Sequence, residues 1–283
     1  MEKNLNIDLL SPEAVTTKAE STGVEKAHNT LRATVSLGIL AGTFIAFAGE
    51  FYTMVIFDAR TGSSLAKLLG GISFSLGLIL VVIAGAELFT GNTLLVIALM
   101  TKKITWRLLL RNWILVYIGN LIGSLFIVFL VFYSEQWHLG NFSFGAVSLK
   151  IALDKVSNDF YTTMIRGILA NTLVVMAIWL SYSGRTVTDK LLAIIFPITA
   201  FVASGFEHSI ANMYFIPFGL LLKSDPRVQA VFVERFGNLD LSILNIPSFL
   251  FKNLVPVTLG NIIGGGVLVG LVYWFVYLHK KLL

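Results

Sequence analysis

The sequence predicts an all-α membrane protein of six transmembrane segments, arranged as two inverted three-helix repeats with one broken helix in each. Three observations lead there. The 283 residues are 56% hydrophobic and only 13% charged, with a mean hydropathy of +0.81; soluble domains carry about a quarter charged residues. The apolar residues gather into four runs long enough for one helix to cross a bilayer, about 20 residues each, and two longer runs. Short motifs also recur, in the same order, in the two halves of the chain.

The first 30 residues are polar and carry five acids, which excludes a cleavable signal peptide. Ser11-Pro12-Glu13 has the form of a helix start, with serine as the cap and proline in the first turn. Residues 1–30 are therefore expected to form a short amphipathic helix on the cytoplasmic side. Leu31–Phe57, Trp106–Tyr133, Tyr161–Ser181 and Asn253–Leu278 each fit one span. Ala66–Met100 and Lys190–Leu222 do not, being too long for one span and too short for two with a turn. Both hold polar residues near the middle, so each reads as two half-helices around an unwound break. Non-helical backbone at membrane depth survives only where protein or a water-lined cavity satisfies it. The membrane domain thus covers 31–278, with repeats at about 31–133 and 161–278, and residues 279–283 form a cytoplasmic tail. Lys102, Lys103, Arg107 and Arg111 crowd one short loop, which places both termini inside.

The repeat can be quoted. "GILA" stands at Gly38–Ala41 and Gly167–Ala170. Glu-x4-Asn stands at Glu87–Asn92 and Glu207–Asn212, inside the two overlong runs. "RN", six residues and "GNLIG" span Arg111–Gly123; "KN", six residues and "GNIIG" span Lys252–Gly264. Three segments per copy is an odd number, so the second copy lies upside-down. Inverted repeats with broken helices meeting near the midplane are a transport architecture, and half-helix N-termini there suit an anion.

Several residues at the breaks carry the chemistry. His208 is an intramembrane imidazole, able to hold or give a proton near neutral pH. Glu87 and Glu207 are expected to be structural, accepting hydrogen bonds from free backbone N–H groups, with Asn92 and Asn212 beside them. Thr90 offers a hydroxyl. Phe74, Leu78, Leu88, Phe89 and Phe201 read either as packing residues or as apolar constrictions that gate by excluding water. Gly119-x3-Gly123, Gly260-x3-Gly264 and Gly266-x3-Gly270 read as close helix packing. There is no cysteine, P-loop or HExxH motif, so an enzyme, an ATP-driven pump and a metal or cofactor site are not expected. Basic residues do not gather on one face, which argues against nucleic acid.

"GAELFTGN", "RNWILVYIGNLIGS", "GILANTLV", "WLSYSGRTVTDK", "FVASGFEHSIANMYFIPFG" and "NLVPVTLGNIIGGG" together resemble the formate/nitrite transporter family, and within it the formate channels, from about residue 30 to 280. The resemblance implies an aquaporin-like protomer in a homopentamer of the bacterial inner membrane, passing formate or similar small monovalent anions. It places Thr90 opposite His208, puts Leu88 in one constriction and Phe74, Leu78 and Phe201 in another, and sets Asn171 and Asn261 beside the pore. Lys155 falls where the family has a lysine near the outer vestibule. The N-terminal helix resembles the segment that family members use for gating or for docking a cytoplasmic partner; membrane lipid is the remaining partner. In the mechanism that follows, Lys155 concentrates the anion, half-helix N–H groups and Thr90 hold it, and His208 pairs with it or hands it a proton. The same fold with nitrite, hydrosulfide or lactate as cargo is one alternative. Another is a sodium-coupled transporter with Glu87 and Glu207 as ion ligands.

Overall fold

The computed structural model describes residues 9–60 and 62–279; apart from His279, the expected tail at 279–283, including Lys280 and Lys281, lies outside them. The described residues form helices and turns, with no strand. α1 (Pro12–His28) begins where the sequence predicts, with the Ser11 hydroxyl accepting the Ala14 N–H at 3.2 Å. Three long helices follow: α2 (Leu31–Ile56), α3 (Ser64–Ala84) and, after the short α4 (Phe89–Met100), α5 (Trp106–Tyr133). The second half runs α6 (Ser143–Ser157), α7 (Phe160–Ser183), α8 (Val187–Ala203), α9 (Ser209–Leu222), α10 (Pro226–Phe236) and α11 (Ser248–Tyr277). Five of these, α2, α3, α5, α7 and α11, are long and apolar enough to cross a membrane.

Both overlong runs are interrupted. α3 stops at Ala84, where Gly85 takes a left-handed turn (φ 80°) and lets Ala86 N–H close back on the Val81 carbonyl at 2.9 Å. α8 stops at Ala203 in the same way: Gly205 (φ 70°) turns the chain and Phe206 N–H reaches the Phe201 carbonyl at 3.2 Å. Three residues follow each turn, 86–88 and 206–208, before α4 and α9 begin. Side-chain caps move the outer boundaries: Ser63 starts α3 and Thr186, in a reciprocal box with Asp189, starts α8, both a few residues before the apolar run.

Helix contacts follow the small residues. α2 crosses α5 so closely that a Cβ at Gly42 would fall on the Asn120 carbonyl, and one at Gly123 on the Ile39 carbonyl. α7 crosses α11 alike, with Gly260 against the Met164 carbonyl and Gly264 against the Ile168 carbonyl. Gly266 is different, since its nearest neighbour is the Thr93 carbonyl at an ordinary 3.6 Å. α3 packs on α8 at the centre. On the outside of α5, Trp106, Leu110, Ile114, Ile118, Ile122, Phe126 and Leu130 are all exposed at four-residue spacing. Such an apolar stripe suits hydrocarbon or a neighbouring subunit rather than water.

Two helices stand where loops are expected from the sequence. α6 packs against α9 and α10 packs against α6. α1 is no loose surface helix either: Val15, Ala19, Gly23 and Ala27 are buried against α4 and its neighbours. It is tied down by the Lys103–Glu20 ion pair at 2.7 Å and by Lys18 Nζ donating to the Tyr182 carbonyl at 3.0 Å.

Candidate functional site

Each break rests on an asparagine that replaces missing helical hydrogen bonds. Asn120 accepts the Phe89 N–H at 3.0 Å and donates to the carbonyls of Gly38 (2.7 Å) and Glu87 (2.9 Å). Asn261 accepts the Ser209 N–H at 3.0 Å and donates to the carbonyls of Gly167 (2.8 Å) and Glu207 (3.1 Å). Buried backbone groups need partners, and one side-chain amide supplies three at each break.

Behind each asparagine lies a buried charged cluster. The Glu87 carboxylate accepts from Asn92 Nδ2 (2.6 Å) and Lys26 Nζ (3.3 Å), Asn92 donates on to Asn112 (2.9 Å), and Asn112 donates to the Lys26 carbonyl (3.1 Å). The Glu207 carboxylate accepts from Asn212 Nδ2 (2.7 Å) and Lys155 Nζ (3.0 Å), Asn212 donates on to Asn253 (2.7 Å), and Asn253 donates to the Lys155 carbonyl (2.7 Å). The two clusters have the same composition and share these four bonds. They differ in that Lys26 also donates to Asn92 Oδ1 (2.9 Å), whereas Asn212 Oδ1 has no hydrogen-bond partner among the described residues and Asn253 makes a long contact to Glu207 (3.4 Å). Glutamates buried at 4% and 3% exposure are tolerable because each has an ammonium and an amide donor.

Between the breaks, His208 Nε2 lies 2.9 Å from Thr90 Oγ1, and His208 Nδ1 accepts the Ala211 N–H at 3.1 Å. The second contact fixes the tautomer. An Nδ1 lone pair taken by a backbone donor leaves the proton of neutral imidazole on Nε2, pointing at Thr90. A second proton has no free lone pair to take unless His208 gives up its cap on α9.

Three cavities adjoin in series here, the last two lined by His208. The first, about 200 Å³, is lined by α1 residues with Lys26, Glu87, Leu88 and Tyr182. The second is about 10 Å³, walled by Ile45, Phe74, Leu78, Leu88, Val174, Ile198, Phe201 and His208. The third, about 80 Å³, holds Tyr52, Phe74, Ile151, Lys155, Phe201, His208 and Phe215. Leu88 is common to the first two; Phe74, Phe201 and His208 are common to the last two. A single water needs roughly 10–15 Å³ measured this way, so the central chamber holds about one. The Phe74 and Phe201 rings meet edge to face at 5.7 Å.

A family model described as formate/nitrite transporter matches residues 13–275. The chain belongs to the formate/nitrite transporter family. It is 44% identical to the formate channel FocA of Escherichia coli strain K12 over 99% of each chain, and 43% identical to the formate channel FocA of Haemophilus influenzae over 92% of each. A solved structure titled as a pentameric formate channel with formate bound superposes with a TM-score of 0.80 at 40% identity, covering 88% of this chain and 98% of that one.

In this family member the residues singled out in the sequence are distributed unevenly. Thr90 and His208 meet; Leu88 stands between the first cavity and the central chamber, Phe74 and Phe201 stand between that chamber and the third cavity, and Leu78 lines the chamber between them. Phe89 points elsewhere: its ring packs on Tyr117 (4.9 Å) and Trp113 (6.0 Å) and lines a lateral apolar groove. Asn171 and Asn261 line none of the three cavities; Asn171 donates to the carbonyls of Thr90 (3.2 Å) and Asn261 (2.6 Å). The glutamates accept from lysine and asparagine side chains, because the half-helix N–H groups of Phe89 and Ser209 are already taken by Asn120 and Asn261. Lys155 lines the third cavity while paired to Glu207.

Sequence reasoning missed Lys26, Asn112, Asn120 and Asn253. A signal for each was present. Lys26 and Lys155 are 129 positions apart, the offset of the two "GILA" motifs, and the asparagines are the N of "RN", "GN" and "KN" in the third repeated motif.

Proposed function

We propose that the protein is a channel for formate and related small monovalent weak-acid anions, passive or proton-coupled through His208. The observation that carries this reading is the string of cavities narrowing, from a lysine-bearing chamber at each end, to one water-sized apolar space lined by His208, whose Nε2 lies 2.9 Å from Thr90 Oγ1. Lys155 lines the third cavity while its partner Glu207 does not, so that end presents an ammonium that raises the local anion concentration; at the other end Lys26 shares the first cavity with Glu87. Phe74, Leu78, Leu88 and Phe201 exclude hydration water, so a bare anion meets a desolvation cost of several kcal/mol. A protonated, neutral acid avoids most of it. Among the described residues, His208 is the one polar side chain lining the narrowest point, and its Nε2–H, directed at Thr90, is the donor there. Net protonation of the imidazole requires release of the Ala211 N–H, so the cap of α9 moves with the proton. The names of the relatives and the pentameric neighbour support formate as cargo and a homopentamer as the assembly.

The architecture proposed is six membrane segments in two inverted repeats, α2–α5 and α7–α11, each with one broken helix. The matched clusters around Glu87 and Glu207 support it, and they extend the repeat to α1 and α6, which carry Lys26 and Lys155 ahead of each copy. The membrane domain is taken as 31–278 in the bacterial inner membrane with both termini cytoplasmic, and α1, resting on the first cavity, as the element through which gating or a cytoplasmic partner acts. The sodium-coupled alternative fares poorly because each glutamate already holds an ammonium.

The test is His208→Phe in proteoliposomes, with formate flux followed by stopped flow from acid to neutral pH, with and without sodium. Proton-coupled formate uptake is expected to fall by an order of magnitude or more and to lose its pH dependence. Unchanged pH dependence in the variant would remove His208 from the mechanism, and sodium dependence in the wild type would remove the channel reading.

A further inference from the structure

Beside the chamber that holds Lys155 and His208 lies another cavity, of about 200 Å³, formed by the α2–α3 connection, the first turn of α3, α6 and the end of α10. It shares Tyr52 and Ile151 with the third cavity, so those side chains stand between the two. Four cations line it, Arg60, Lys67, Lys150 and Arg235, against one acid, Asp154. Lys150 binds both Asp154 oxygens (2.6 and 2.7 Å) and Arg235 donates Nη1 to the Phe57 carbonyl at 2.7 Å. Arg60 and Lys67 have no side-chain partner among the described residues. The start of α3, capped by Ser63, opens on the same space and adds partial positive charge. The neighbouring acids Asp58 and Glu234 are exposed and do not line it.

We propose that this antechamber is a binding site for small multivalent oxyanions, dicarboxylates above all, which dock there and obstruct the entrance without crossing. The proposal rests on the channel reading for its effect on flux, but not for binding. Net positive charge at the lining exceeds what a monovalent acid can neutralise, whereas a dianion engages two cations at once. A dicarboxylate is also unfit for the central chamber. One proton leaves it charged, and a space for about one water excludes its length. Occupied, the cavity places negative charge against the wall formed by Tyr52 and Ile151 and opposes the Lys155 field that draws formate in.

The experiment uses succinate as probe. Formate flux into proteoliposomes of neutral lipid is measured with added succinate or with chloride at matched ionic strength, which separates binding from screening. Wild type is expected to be inhibited by succinate and not by chloride. In Arg60→Gln/Lys67→Gln, whose side chains hold no hydrogen bond or ion pair among the described residues, the half-inhibiting concentration is expected to rise about tenfold with flux in its absence retained. Equal effects of succinate and chloride, or equal inhibition of both proteins, would overturn the proposal. A second arm adds anionic lipid to the vesicles; loss of succinate inhibition there would assign the site to a lipid headgroup instead. If wild type passes no formate, the channel reading fails by itself, and calorimetric titration of succinate into detergent-solubilised wild type and double variant decides the site: tighter binding to wild type upholds it, equal or absent binding ends it.

Discussion

Lys155→Met isolates the charged cluster behind the second break. Lys155 and Glu207 side chains are 17% and 4% exposed with their charges 3.0 Å apart. Removing one partner of such a pair costs roughly 3–5 kcal/mol, because the other charge stays buried. Glu207 keeps Asn212 Nδ2 at 2.7 Å and a long contact from Asn253 at 3.4 Å, so the loss belongs near the lower end, about 3 kcal/mol. Lys26→Met should cost less, since Lys26 is 25% exposed and lies 3.3 Å from Glu87. Thermal unfolding of the purified protein in detergent reads both, at about 2–4 °C per kcal/mol for a chain of somewhat smaller size. Glu207→Gln in the Lys155→Met background should recover much of the loss, giving a coupling above about 1 kcal/mol in the double-mutant cycle. Formate flux should fall in Lys155→Met most steeply at low salt, where the uncompensated carboxylate at the entrance is least screened. An additive cycle with wild-type melting would mean that the ammonium lies in solvent and the cluster stabilises nothing.

Asn120→Leu and Asn261→Leu each leave one buried N–H and two buried carbonyls without their partner. At about 1–3 kcal/mol per group, both should unfold well below wild type and by similar amounts; a large difference between them would break the equivalence of the two breaks. Gly42→Ala drives a Cβ into the Asn120 backbone and should cost about 1–3 kcal/mol or prevent assembly, whereas Gly266→Ala meets only ordinary contacts and should unfold close to wild type. The Asp225 carboxylate caps α10, accepting from the N–H groups of Arg227 (2.9 Å) and Val228 (3.2 Å). The Arg227 side chain holds its carboxyl below the ordinary value of 3.8. Its contribution is therefore complete above that value and lost as pH falls through the lower folded value; amide exchange at Arg227 and Val228 should accelerate only there.

The spans and the breaks were legible because hydrocarbon imposes a length and an internal hydrogen-bond requirement that a linear sequence displays directly. An apolar run of 33 or 35 residues with a glutamate inside it has few physical solutions. The pairing of Thr90 with His208 also followed from the motifs, through resemblance rather than spacing. What stayed hidden depended on side-chain direction. Leu88, Phe89 and Thr90 are consecutive, yet one walls the central chamber, one faces a lateral groove and one meets His208. No periodicity applies at the first turn of a helix that starts from extended chain, so sequence alone grouped Phe89 with Leu88.

The asparagines show a different limit. The resemblance sets Asn171 and Asn261 beside the pore, and nothing in the sequence itself says what else an asparagine in an apolar span would do. Yet a broken helix at membrane depth creates its own unpaired N–H and C=O groups, and a side-chain amide, donor and acceptor together, is the one neutral group that satisfies both kinds. Asn120 and Asn261 do this, while Asn92 and Asn212 donate to two buried carboxylates and on to the side-chain carbonyls of Asn112 and Asn253. Intramembrane polarity in this protein therefore divides by chemistry. The amides and acids hold the breaks open, and holding them open is what brings Thr90 to His208, among the described residues the one polar side chain lining an otherwise apolar chamber.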